Sequence, residues 1–422
     1  MQARMLWALT ALVAVVLCFL PLTSLLGYES SAVMGVVLGL AAMRLTAIEL
    51  ERTGTPLSGV DPRPLAAWLD RLGARLVLTL PAAGILALNA LRVKNCDPLA
   101  GAVFWAVIPM VSVLVGHALV FTLAAFTGSA RWAWRLGLAV VAADVVWFGV
   151  RLVVEPPITG MSLLFGYFAG SIYDEALSVP EPLLWYRALL VSLSLAAVFL
   201  VDLVARRRTR KTRGPAIWGT LGFGLIAATL AWQAESHGYW LEREDIASAL
   251  GAKVESPHFV IHYDPGALEA HQVQAIVDDH EYRYAELQAF FDEDPATTAG
   301  RRLGVYVYPD RSTQHRLFGS RNTFVARPWT YEMHIRWNST GDTAVAHELA
   351  HLFTAPFGGG PLSLATDGGL FVHLGLVEGI ALAADWPPGE LTPHEAAAAM
   401  RALDIAPSLA SLFEPSGFWS QP

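Results

Sequence analysis

His347-Glu348-Leu349-Ala350-His351 is the densest group of chemically capable residues in the chain. Histidines at i and i+4 share one helix face, so both imidazoles can reach one ion. Two imidazoles and one carboxylate suit Zn2+ and leave a fourth position for water. Zinc brings the pKa of such a water toward neutrality and polarises a carbonyl. Glu348 stands beside the first histidine; as general base it would take the water's proton and hand it to a leaving amine. The plainer alternative is a pair of surface histidines flanking a solvated glutamate.

A third ligand is expected downstream, in Leu376-Val377-Glu378-Gly379-Ile380-Ala381-Leu382-Ala383. Glu378 is the one acid in an otherwise apolar run, and a buried carboxylate is costly unless paired or metal-bound. A salt bridge or partial exposure would also satisfy it. The rivals are His373 and Asp367. His373 lies one and a half turns before Glu378 and points to the other face; Asp367 sits in a Gly-containing loop and reads as a cap. Asp385 falls on the face of Glu378 and could orient a ligand histidine.

The elements that must position these groups are legible nearby. Asn338-Ser339-Thr340-Gly341-Asp342 is a turn rich in helix caps, and a helix follows from about 343 to 354. Pro356 to Pro361 breaks it. A second helix spans about 371–384, ended by Trp386-Pro387-Pro388-Gly389. A third covers 392–404, with Thr392 and Glu395 as a capping box. Upstream, 258–263 alternates and is rich in β-formers. Residues 267–292 carry apolar positions at helical spacing. Strands are expected at 303–308, 324–326 and 331–337.

The rest of the chain lives in a different solvent. The sequence has 422 residues, 54% hydrophobic, with a mean hydropathy of +0.43. That is too apolar for one soluble globule of this length. Residues 1–233 hold 18 Lys+Arg against 12 Asp+Glu, a net of +6; residues 234–422 hold 11 against 25, a net of −14. Eleven of the twelve histidines lie in the second part. Its acidity argues against nucleic acid as a partner, since phosphate binding needs a basic surface. Cys18 and Cys96 offer neither a disulfide framework nor a CxxC site.

About seven apolar stretches are long enough to cross a bilayer: 5–27, 31–48, 74–92, 101–127, 135–154, 182–204 and 215–233. With a cytoplasmic N-terminus, the inside ends and loops hold 14 Lys+Arg and the outside four. The positive-inside rule supports that arrangement. The run Arg206 to Arg213 precedes the last span, so everything after 233 is expected outside the cytoplasm. His117 and Asp144 lie within spans, where charge is costly and often functional; polar contacts inside the bundle are the plainer reading. The outer loop 156–181 includes Tyr173-Asp174-Glu175, read as solvated.

The residues from 256 onward resemble the gluzincin metallopeptidases, and more narrowly the peptidase MA-like domains of bacterial membrane proteins. The resemblance rests on HExxH followed by a helix bearing Glu-Gly-x-Ala. It extends to the opening strand Ser256–Tyr263, the strand Tyr331–Trp337, Leu391-Thr392-Pro393-His394-Glu395 and Gly417-Phe418-Trp419. It implies zinc bound by His347, His351 and Glu378, with Glu348 as base and a peptide or protein as substrate. It also implies that Tyr331–Trp337 is an edge strand that pairs with extended substrate. Two departures stand out. The spacing from His351 to Glu378 is longer than in the best-known gluzincins. Thermolysin-like enzymes also place an acid four residues after the ligand glutamate, where this chain has Leu382. The family usually continues past Phe-Trp with a tyrosine that stabilises the oxyanion. Here the last tyrosine is Tyr331, so the chain reads as truncated at its C-terminus, or Tyr331 or His334 supplies that contact.

The expected architecture is an α-helical multi-span bundle over 1–233, a linker over 234–256, and an α+β zincin-like metallopeptidase domain over 257–422. That domain would combine a small mixed sheet with the active-site helices. The bundle would sit in a bacterial cytoplasmic membrane, with the C-terminal domain periplasmic. The competing readings are a transport or sensor protein with a relict metal site, and an intramembrane protease. The last fits poorly, because Arg336, Asn338, Ser339, Thr340 and Asp342 lie just before the motif and its apolar run is too short to cross.

Overall fold

The computed structural model describes residues 2–58, 63–168, 177–209, 212–367, 371–385 and 391–413. They form two compact units, one running to Trp240 and one from Leu241 that also takes in Val153–Pro157. Tyr173 to Glu175, Trp386 to Gly389 and Gly417 to Pro422 lie outside the described residues.

The first unit is a bundle of apolar helices. Six are long and apolar enough to span a membrane: Tyr28–Thr53, Pro64–Leu91, Pro98–Thr127, Ala130–Val154, Glu181–Arg208 and Gly214–Trp232. This is the composition of a helical membrane protein. The expected first span, 5–27, is corrected. It is helical only over Gln2–Leu17, about 24 Å at 1.5 Å per residue against a hydrocarbon core of about 30 Å. Pro21 ends it, because proline lacks an N–H and pushes the residue before it out of the helical region. The stretch 31–48, in contrast, belongs to a helix of 26 residues, the most buried of the six.

Small residues let these helices approach. A Cβ on Gly116 would stand 2.6 Å from the Gly39 carbonyl oxygen, so Tyr28–Thr53 and Pro98–Thr127 touch backbone to backbone. Within Pro98–Thr127 the turn Ala106–Met110 is π-helical and contains Pro109, which accommodates the missing N–H. His117 is fully buried. Its Nδ1 lies 2.7 Å from Thr46 Oγ1 and its Nε2 3.2 Å from the Trp68 carbonyl. Asp144 accepts from Ser162 Oγ at 2.8 Å and Leu163 N at 3.0 Å. Both ionisable groups make polar contacts inside the bundle.

The second unit is built on a five-stranded mixed sheet. Its order is Ala252–Glu255, Phe259–Tyr263, Leu303–Val307, Glu332–Ile335, Val325–Arg327. The inner pairings are parallel and the two outer ones antiparallel. Strand alternation sends Phe259, Ile261, Val305, Met333 and Ile335 to one face. There they pack with Ile276, Tyr284 and Leu287 of helix Ala270–Phe291 and with Val345, Leu349, Leu352 and Phe353 of helix Thr343–Phe353.

Two expectations change here. The stretch 234–256, expected as a charged linker or a first helix, carries helix Arg243–Leu250 and, beyond that expectation, the first strand of the sheet. The strand before the active helix is not at the edge either. Glu332–Ile335 lies between Leu303–Val307 and Val325–Arg327, and Val325–Arg327 is the edge strand. Its residues are few and unremarkable in composition, so only pairing order reveals the edge.

Candidate metal centre

Helix Thr343–Phe353 begins where the turn before it allows. Asp342 caps it by accepting from Ala344 N at 3.0 Å, and Asn338 donates to Asp342 at 2.9 Å. Pro356, two residues past Thr354, stops it. Its apolar face anchors it on the sheet, through Val345, Leu349 and Phe353. The other side carries the histidines. Their rings lie 4.9 Å apart between centroids and nearly perpendicular, at 84°.

Helix Leu374–Asp385 packs beside it. It starts three residues later than expected, after the short hairpin Thr366–Asp367 with Phe371–Val372. Glu378 Oε2 lies 3.3 Å from His347 Nε2 and 3.8 Å from His351 Nε2. One donor atom from each of the three residues falls within 4.8 Å of the others. A tetrahedral zinc with bonds of about 2.0–2.1 Å puts neighbouring donors about 3.4 Å apart. Two contacts match that edge within a few tenths of an ångström, so the donor set fits such an ion in number, chemistry and spread.

Asp385 Oδ2 lies 3.2 Å from His347 Nδ1. Seven residues beyond Glu378 is two helical turns, which returns to the same face. An outer carboxylate on the far nitrogen of a ligand histidine fixes the ring and its tautomer. Asp385, at seven residues, thus brings to His347 the carboxylate that Leu382, at four residues, lacks. His351 Nδ1 and Asp385 Oδ1 are buried without a hydrogen-bond partner among the described residues.

The rival ligands fall elsewhere. His373 Nδ1 lies 2.8 Å from the Phe413 carbonyl, and Asp367 sits in the hairpin strand. His334 is corrected as a source of an oxyanion contact. It alternates with Met333 and Ile335, so it faces away from the active helix. There it stacks on Phe318 at 3.8 Å and Tyr306 at 4.7 Å, with Tyr308 Oη 2.9 Å from its Nδ1. Tyr331 takes a left-handed conformation, φ 51°, at the end of a short 3-10 turn. It packs at the margin of the sheet core, with Arg301 and Glu293 as the charges around its hydroxyl. It does not join the cluster.

One group escaped the sequence altogether. The Ala326 backbone N–H, on the edge strand, lies close enough to the Glu348 carboxylate to favour its charged form. An N–H at a sheet edge has no strand partner on its open side, and helix Thr343–Phe353 packs against this strand. Spacing and composition carry no signal for this contact.

Electrostatics separate the groups in the metal-free state. Burial alone would lower the His347 pKa, but hydrogen bonds to Asp385 and Glu378 outweigh it and push it up to about 10. Burial lowers His351 to about 4. Burial acts to raise Glu378, yet the His347 hydrogen bond and the two histidines hold it below its ordinary value. Burial raises Glu348 to about 7, against the attraction of His347. The shifts leave His347 clasped between two carboxylates, Asp385 and Glu378.

A folded pKa above the unfolded one means that the folded state binds the proton more tightly. The stabilisation from His347 is therefore complete below about 6.5 and lost as the pH rises through about 10. In the metal-free protein, an imidazole NMR titration should show one histidine ionising near 10, and Asp385→Asn should bring it down. The same variant should weaken zinc binding about 10–100-fold. A metal-free protein with no histidine charged above pH 8 would overturn this picture of the cluster.

No protein-family model matches the chain, and no curated protein or solved structure does either. Fold and site together define a helical membrane protein whose α+β unit carries, among the described residues, a three-donor cluster that could hold a metal ion.

Proposed function

We propose that the protein is a membrane-anchored, zinc-dependent metallopeptidase of the gluzincin type. The observation that carries this reading is the convergence of His347, His351 and Glu378 from two helices, with donor atoms within 4.8 Å. Zinc held there would supply Lewis acidity toward a peptide carbonyl and acidify a water. Glu348 is placed one residue from His347, buried, with its pKa raised to about 7. A carboxylate of that basicity can take a proton near neutral pH and give it to a leaving amine. The nearby Ala326 N–H favours the charged form of this carboxylate. Asp385 holds the His347 ring. The edge strand Val325–Arg327 lies beside the helix and offers an extended peptide a backbone partner.

The unit would lie outside the cytoplasm, the periplasmic side if the membrane is a bacterial cytoplasmic membrane. Six long helices keep the loops containing Arg44 to Arg75, Arg131 and Arg135, and Arg206 to Arg213 on one side. Only Arg4 changes sides, so 14 − 1 = 13 basic residues face inward and 4 + 1 = 5 outward. The bias that orients the bundle survives. A retained Glu348, which ligates nothing in this arrangement, favours an enzyme over a relict metal-binding domain in a sensor or transporter.

The full chain, purified in lipid nanodiscs, should contain one zinc and degrade an unfolded protein such as casein. A chelator should stop the reaction and added zinc restore it. Zinc-loaded protein that cleaves no peptide bond would leave the metal centre and remove the peptidase.

A further inference from the structure

The membrane unit contains a second built feature, at the helix ends far in sequence from the metal cluster. A cavity of about 210 Å³ opens between helices Tyr28–Thr53, Pro64–Leu91 and Pro98–Thr127. Leu50, Pro56, Pro64 and Phe121 make its wall apolar, and Thr53 and Arg71 make it polar on one side. Arg71 Nε donates to Glu49 Oε1 at 3.0 Å. Arg75 donates to the other oxygen of the same carboxylate. One glutamate therefore serves two guanidinium groups, and the trio carries one net positive charge. Arg75 Nε is buried without a partner among the described residues. Arg208 Nη1 donates to the carbonyl of Leu57, next to the wall residue Pro56, at 3.0 Å.

We infer that this cavity binds the phosphate headgroup of an anionic membrane lipid. Uncompensated charge at the end of membrane spans is expensive, and a counter-ion offsets it. Basic pockets between spans on the cytoplasmic side hold anionic headgroups for this reason. Arg71 offers the donors that match a phosphate oxygen. The apolar wall selects the source. Free phosphate would meet the guanidinium and leave Leu50 and Phe121 against water, whereas a lipid covers them with its chain. The volume sets the scale: clefts that enclose a drug-sized molecule run to about 300–1,000 Å³. This one admits a headgroup and the start of one chain, which lies against Leu50 and Phe121 while the rest stays in the bilayer.

The test reads lipid binding and does not depend on peptidase activity, so its failure and failure of the enzymatic reading are separable. The full chain in neutral detergent is mixed with phosphatidylglycerol, phosphatidylcholine or inorganic phosphate. Retained lipid is then counted by native mass spectrometry and thermal unfolding is followed. Phosphatidylglycerol should bind and raise the unfolding temperature; phosphatidylcholine and phosphate should do neither to the same extent. Arg71→Gln should weaken retention by about fivefold or more, the worth of one basic side chain beside an anionic membrane surface. Arg131→Gln, an exposed change at another helix end, should not. Glu49→Gln frees both guanidinium groups and should tighten retention, which a merely structural ion pair would not do. Equal effects of phosphatidylcholine or of free phosphate, or weaker retention in Glu49→Gln, would overturn the assignment. If Arg71→Gln does not fold, the Glu49→Gln result alone decides.

Discussion

On the proposed mechanism, Glu348→Gln will leave zinc binding intact and lower peptide hydrolysis by about a hundred- to ten-thousand-fold, the span that a positioned general base contributes. The substitution is nearly isosteric. The helix is anchored on the sheet by Val345, Leu349 and Phe353, which the substitution leaves in place. What is lost is the ability to take a proton. Glu348 ligates nothing in the cluster, whose donors come from His347, His351 and Glu378, so metal content should stay at one ion. Measuring zinc and kcat on the same preparation separates the two effects. Full activity with zinc retained would remove Glu348 as the base, and with it the mechanism.

Glu378→Ala will empty the site. Its Oε2 is the atom shared between both imidazoles, 3.3 Å from one and 3.8 Å from the other. Removing a partner outside the ligand set costs about 10–100-fold in metal affinity, so removing a ligand should exceed that. The change also unbalances the metal-free state. His347 is left with Asp385 alone, and burial of its charge is less well compensated. The expected result is no stoichiometric zinc after dialysis, and no hydrolysis at zinc concentrations that saturate the native chain. Ala381, one turn on, is the residue of this helix that packs in the core, so the variant should still fold. Zinc bound as tightly as in the native chain would mean that Glu378 is not a ligand.

How much of this was legible beforehand depends on the range of the interaction. The paired histidines are a local matter, because helical periodicity puts i and i+4 on one face. The same periodicity places Asp385 on the face of Glu378, while the 3.2 Å to His347 Nδ1 needs the two helices to pack together. The face of His334 was also within reach, since its neighbours Met333 and Ile335 are the apolar ones. Giving that strand an edge role obscured it.

Apolar run length by itself marked the spans, since lipid admits only helices long enough to satisfy their own backbone. It overcounted by one where Pro21 cuts a run that composition alone would carry to 27. The sequence also determined the capped helix bearing HExxH and the acid on the next helix, because caps, periods and breakers act over a few residues. Tertiary structure alone decided that Val325–Arg327 forms the sheet edge and that its Ala326 N–H lies near Glu348. It alone brought two guanidinium groups onto Glu49, 22 and 26 residues away, beside a cavity. Strand order and helix packing join residues far apart in the chain, and no local pattern encodes which distant partner an edge N–H or a carboxylate will find.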